Sequence, residues 1–89
     1  LIVGNVDIKE FLELKKKLND NGFKLNDFKT FYSFKSKRWD LLFKNEIIIK
    51  LPIDDIEFSI NLLKKIIKNS NIKDIKIIDL RIKNQVILS

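Results

Sequence analysis

The chain has 89 residues, 40 of them apolar (12 Leu, 16 Ile, 3 Val, 7 Phe, one Trp and one Tyr), which suffices for one core and excludes two domains. No apolar run reaches the roughly 20 residues of a bilayer span; the absence of Cys excludes disulfides and thiolate metal sites, and the absence of His leaves carboxylates as the only realistic acid–base groups. The net charge of +6 rests on Lys, with only Arg38 and Arg81 beside it, which suits a solvated surface better than an Arg-rich reader of nucleic acid. Since no Met opens the chain, further sequence is expected upstream.

Leu1 to Val6 reads as the end of a strand or a lead-in. Asp7 and Glu10 have the spacing of a capping box, and a helix is expected to follow. Its buried stripe is read as Ile8, Phe11, Leu12 and Leu18, with Leu14 at the margin and Lys9, Lys15, Lys16 and Lys17 in water. Gly22 supplies the left-handed stop. From Phe23 to Phe34 aromatic and β-branched residues predict one strand with a turn near Asn26–Asp27, its faces split so that Phe28, Thr30, Tyr32 and Phe34 fall together. A second strand, Arg38 to Lys44, turns Trp39, Leu41 and Phe43 to the core. Asn45 and Glu46 make a tight turn into a third, with Ile47, Ile49 and Leu51 inward.

Pro52 ends that strand. Asp54 and Glu57 form a second capping-box spacing, and Ile56, Ile60, Leu63 and Ile67 give the following helix a wide buried face, closed by Asn69, Ser70 and Asn71. Asp74 to Ile82 alternates as a strand, Lys83–Asn84 turns, and Gln85 to Leu88 is the last strand. The expected fold is therefore α+β in a single domain spanning residues 1–89: helix, three antiparallel strands, helix, two strands. Strands grouped between helices favour a mixed, mostly antiparallel sheet with both helices on one face.

The ordered set Lys37-Arg38-Trp39-Asp40-Leu41-Leu42-Phe43-Lys44-Asn45-Glu46-Ile47, then Lys50-Leu51-Pro52, a capped helix, and Ile78-Asp79-Leu80-Arg81 resembles the C-terminal periplasmic β domain of the bacterial cell-division proteins FtsQ and DivIB. Leu1-Ile2-Val3-Gly4 looks like the link into that domain, so the resemblance covers essentially the whole chain. It implies a non-enzymatic scaffold at the periplasmic face of the inner membrane, preceded by a transmembrane helix and a POTRA domain, and binding the division proteins FtsB and FtsL without a cofactor. In such domains the partner adds a strand to the last strand of the sheet, here Gln85, Val86, Ile87 and Leu88. The same resemblance assigns contact roles to Arg81 and to Ile82, where an aromatic residue is common, with Lys83 and Asn84 in the connecting turn. It places one of Lys37 and Arg38 at the partner.

Other chemistries have weaker support. Asp54, Asp55 and Glu57 are the closest carboxylate cluster, and their spacing is that of a helix cap rather than of a catalytic pair or a cation loop. With only Gly4 and Gly22 there is no phosphate-cradling loop. The alternative from another class is a small basic nucleic-acid-binding module, with Lys35, Lys37 and Arg38 beside Phe31 and Tyr32 as stacking platforms.

Overall fold

A computed structural model describes residues 1–69 and 74–89. Strand β1 (Ile2–Gly4) leads to helix α1 (Ile8–Asp20), a 3-10 turn (Leu25–Asp27) and strands β2 (Phe28–Ser33), β3 (Trp39–Phe43) and β4 (Ile48–Lys50). Helix α2 (Ile56–Asn69) and strands β5 (Ile77–Asp79) and β6 (Ile87–Leu88) follow. All six strands form one sheet whose spatial order equals their chain order. The pairs β1–β2 and β4–β5 are parallel, and the other three are antiparallel. The expected α+β layer is thus present, with one strand more than expected: Ile2–Gly4 is a full member of the sheet.

Helix α1 starts where its cap predicts, with the Asp7 carboxylate accepting the Lys9 N–H at 2.9 Å. The reciprocal half of the capping box is absent, because Glu10 turns to the Lys37 ammonium at 3.6 Å. The stop is a Schellman motif. Phe23 N–H reaches the Leu18 carbonyl at 2.9 Å and Gly22 N–H the Asn19 carbonyl at 3.0 Å, with Gly22 at φ +87°. The buried stripe differs from the expected one. Phe11 packs edge-to-face on Phe31 (5.4 Å between centroids) and against Trp39 (6.1 Å), and this sets the helix rotation. Leu14 and Leu18 then follow at helical spacing into the core, while Ile8 and Leu12 rotate into solvent.

Strand β2 also departs from the reading. It begins only at Phe28, and its register on β3 shifts between Phe28 and Thr30, a bulge at Lys29 that reverses the alternation. Phe28, Phe31 and Ser33 therefore share the helix side, and Thr30 and Tyr32 lie on the other. The β3–β4 turn is not the two-residue type I′ form. Phe43 bonds Ile47 across it, and only Glu46 takes positive φ (73°), the arrangement of a bulged three-residue loop. The β2–β3 turn repeats this with Lys37 at φ 70°.

Helix α2 opens one residue later than its capping box predicts: Asp55, at φ 55°, precedes Ile56 and accepts the Ser59 N–H at 3.1 Å. The expected closure at Ser70 and Asn71 lies outside the described residues. β5 is shorter than the Asp74–Ile82 expected. Asn61 of α2 donates to Asn21 at the end of α1 (3.3 Å), and Asn21 donates to the Lys17 carbonyl (2.9 Å), so a small polar link ties the helices together above the core.

The two glycines separate two kinds of constraint. A Cβ at Gly22 would meet nothing within 4 Å, so Gly22→Ala carries only the left-handed backbone cost of about 1 kcal/mol. A Cβ at Gly4 would collide with the Ser33 carbonyl oxygen, where β1 lies against β2. In thermal unfolding, Gly22→Ala should lower Tm by about 5 °C, and Gly4→Ala by distinctly more.

Candidate functional site

Both helices cover one face of the sheet, so register alone tells which side chains are left on the other. Tyr32, Asp40, Lys50, Asp79 and Ile87 stand opposite one another across five strands and share the open face. The next row is Thr30, Leu42, Ile48 and Ile77. Acid, base and acid thus alternate across the middle of this face, and an arginine caps each end of the row.

Arg81 grips Asp79 with two parallel bonds, Nε to Oδ1 at 2.9 Å and Nη2 to Oδ2 at 2.7 Å, and its backbone N–H adds a third to Oδ1 at 3.0 Å. These bonds hold the Asp79 carboxyl below its ordinary range, with Lys50 contributing, and Asp79 in turn raises the Arg81 guanidinium. Arg38 binds Asp40 at 2.6 Å, touches the Leu51 carbonyl at 3.4 Å and stacks on the Phe34 ring at 4.8 Å. The two arginines differ in access: the Arg38 side chain is 18% exposed and that of Arg81 45%. Lys37 and Arg38 lie in different places. Arg38 shares the open face with Arg81, whereas Lys37 sits in the hairpin turn and points to Glu10 of α1.

The sheet edge beside Arg81 is β6. Ile82, Lys83, Asn84 and Gln85 form the turn into it, with Gln85 N–H on the Ile82 carbonyl at 3.1 Å and Asn84 at φ 62°. Val86 packs partly against the core, and Ile87 and Leu88 are half-exposed. Ser89 and Ile77 exchange both backbone bonds at 3.0 Å, so they are a hydrogen-bonded pair. By antiparallel alternation, Ile87 opposite Asp79 turns its N–H and C=O inward, while Leu88 opposite Ile78 turns them out to the vacant side. Beneath the turn, on the helix side, lies a cleft of about 330 Å³ whose apolar walls include Ile53, Phe58, Leu62 and Ile82.

Of the residues read from the sequence, Arg81 to Leu88 lie together at the β6 edge, whereas Arg38 stands beside β3 at the other end of the charged row and Lys37 lies in the hairpin turn. The reading missed Asp40 and Lys50, which link Arg38 to Arg81 across the sheet; the Arg38-x-Asp40 and Asp79-x-Arg81 spacings carry a same-face signal in a strand. It also missed Ile53 and Phe58, which no pattern local to β6 could indicate. The stacking platform proposed for nucleic acid is not formed as expected: Phe31 is 4% exposed, locked among Phe11 and Phe28, and Arg38 is engaged within the sheet.

The family model of the cell-division protein FtsQ/DivIB C-terminal region matches residues 4–81, from the end of β1 to Arg81. No curated protein matches closely.

The Asp79–Arg81 pair has a pH signature. Asp79 titrates lower folded than unfolded, so its contribution is present above the ordinary carboxylate pKa and is lost as pH falls through the depressed value. Asp79→Asn should thus be less stable than the parent at neutral pH, and the difference in Tm should close on acidification below the ordinary range. A constant difference would show that the pair is not the cause.

Proposed function

The chain belongs to the FtsQ/DivIB C-terminal family of cell-division domains, and from that premise we propose that it is a non-enzymatic scaffold domain of the division machinery, acting at the periplasmic face of the inner membrane. Its partners on this reading are FtsB and, with it, FtsL. FtsB adds a strand alongside β6, and the complex links early and late division proteins at the septum.

The observation that carries the reading is the unpaired outer side of β6, at which the Leu88 N–H and C=O point outward beside an accessible Arg81. Main-chain bonds give such an interface its affinity, and side chains set its register. A strand placed beyond β6 extends the open-face row past Ile87. There Arg81, whose Nη1 makes no bond among the described residues, favours an acidic side chain of the incoming segment. On the helix side the same strand would run past Leu88 and the cleft walled by Phe58 and Ile82, which favours apolar side chains there. Ile82 serves this contact by burial alone, without aromatic stacking.

The backbone phase of β6 selects the test. Proline at Ile87 would remove a donor that the domain uses internally, whereas proline at Leu88 removes only an outward one. In binding assays with the periplasmic part of FtsB from the same genome, Leu88→Pro should abolish binding while Tm stays within a few degrees of the parent. Arg81→Gln should weaken binding about tenfold, and Lys64→Glu on α2 should leave it unchanged. Raising salt should weaken the complex only modestly, unlike a phosphate-bound one. Full binding by Leu88→Pro would refute strand addition at this edge.

A further inference from the structure

Helix α1 carries an apolar ridge that the fold leaves uncovered. Ile8 is 67% and Leu12 53% exposed, one turn apart on the side facing away from the sheet. The surface neighbours of Leu12 at three and four residues are Ile8, Lys9, Lys15 and Lys16, so the exposed leucine is ringed by three cations and one isoleucine, with no acid among them. None of these lysines forms an ion pair among the described residues. The helix had the residues to bury this stripe, but the Phe11 contacts with Phe31 and Trp39 turned it outward.

We propose that this face of α1 is a docking surface for an anionic phospholipid bilayer. The ridge stands on a convex helix surface, and the best-formed clefts among the described residues lie elsewhere, so they offer no pocket there to the anchors of a protein partner. A second copy would set lysine against lysine. A bilayer surface suits the ridge in both respects: it deforms around apolar side chains, and its acidic headgroups meet ammonium groups carried on stems that lie along the ridge. Two apolar side chains and three lysines make a weak, reversible attachment, one that orients a domain held near a membrane by other means. The ridge is on the helix side, away from Arg81 and Arg38, so docking leaves the open face and β6 accessible.

The test is co-sedimentation of the whole chain with vesicles of phosphatidylcholine alone or enriched in phosphatidylglycerol. The parent should sediment with the anionic vesicles and not with the neutral ones. Ile8→Ser/Leu12→Ser and Lys9→Glu/Lys15→Glu/Lys16→Glu should each reduce the bound fraction about tenfold. Lys64→Glu/Lys65→Glu/Lys68→Glu makes the same charge change on α2 and should retain most of the binding. The substituted side chains are exposed except Lys15, which is partly covered, and an unchanged circular dichroism melt confirms the fold of each variant. Equal loss from the α1 and α2 charge variants, or retained binding by Ile8→Ser/Leu12→Ser, would reduce the effect to net charge and overturn the proposal. So would concentration-dependent dimerisation abolished by Ile8→Ser/Leu12→Ser, which would make a second copy the occupant.

Discussion

One apolar row crosses the whole sheet and the rest of the molecule is arranged around it. Ile2, Phe31, Leu41, Ile49, Ile78 and Leu88 stand opposite one another from β1 to β6, and the three at the centre have no exposed surface. Two helices are enough to cover that row in the middle but not at its end, since Leu88 remains half-exposed. Burial of each central side chain contributes about 2 kcal/mol, so register is enforced where both helices press on the sheet and relaxes toward β6. The same geometry that stabilises the core thus leaves its last strand incompletely covered, with a vacant hydrogen-bonding side.

Covering one face also decides the chemistry of the other. Beside the row of Thr30, Leu42, Ile48 and Ile77, the open face carries a row of charge paired within the sheet: Arg38 with Asp40, Asp79 with Arg81, and Lys50 between the two acids. Pairs at a water-facing surface add only modest stability. Their effect is to fix where the guanidinium groups stand, and a pre-positioned arginine loses less freedom on meeting a carboxylate than a mobile one.

Much of this was legible in the sequence because it is local. The Asp7 cap, the Gly22 stop, the alternation of Trp39, Leu41 and Phe43 and the Ile60–Leu63 stripe each follow from spacing along a few residues. What was illegible depends on distant partners. Three residues of β1 have no periodicity of their own, so Leu1 to Val6 reads equally as a strand end or a lead-in, and only pairing with Phe31, Tyr32 and Ser33 decides for the strand. The bulge at Lys29 inverts a face without any glycine to announce it. The rotation of α1 is set by Phe31 and Trp39, so a moment read from the helix alone misplaced Ile8 and Leu12. At the candidate edge, Arg81 and β6 were visible through the resemblance of their motifs, whereas Asp40, Lys50, Ile53 and Phe58 join them only through the fold.

The identity of spatial and chain order has a kinetic side. No strand has to slip between two that are already paired, so the sheet can be assembled by accretion from β1 onward as the polypeptide emerges, each new strand finding a ready template at the growing margin. β6 is the last of the six in chain order and the shortest, and among the described residues its outer side is unpaired. A further strand added there would repeat the step that joins β6 to β5, so that association would use the same backbone geometry, in the same direction, by which the sheet itself extends.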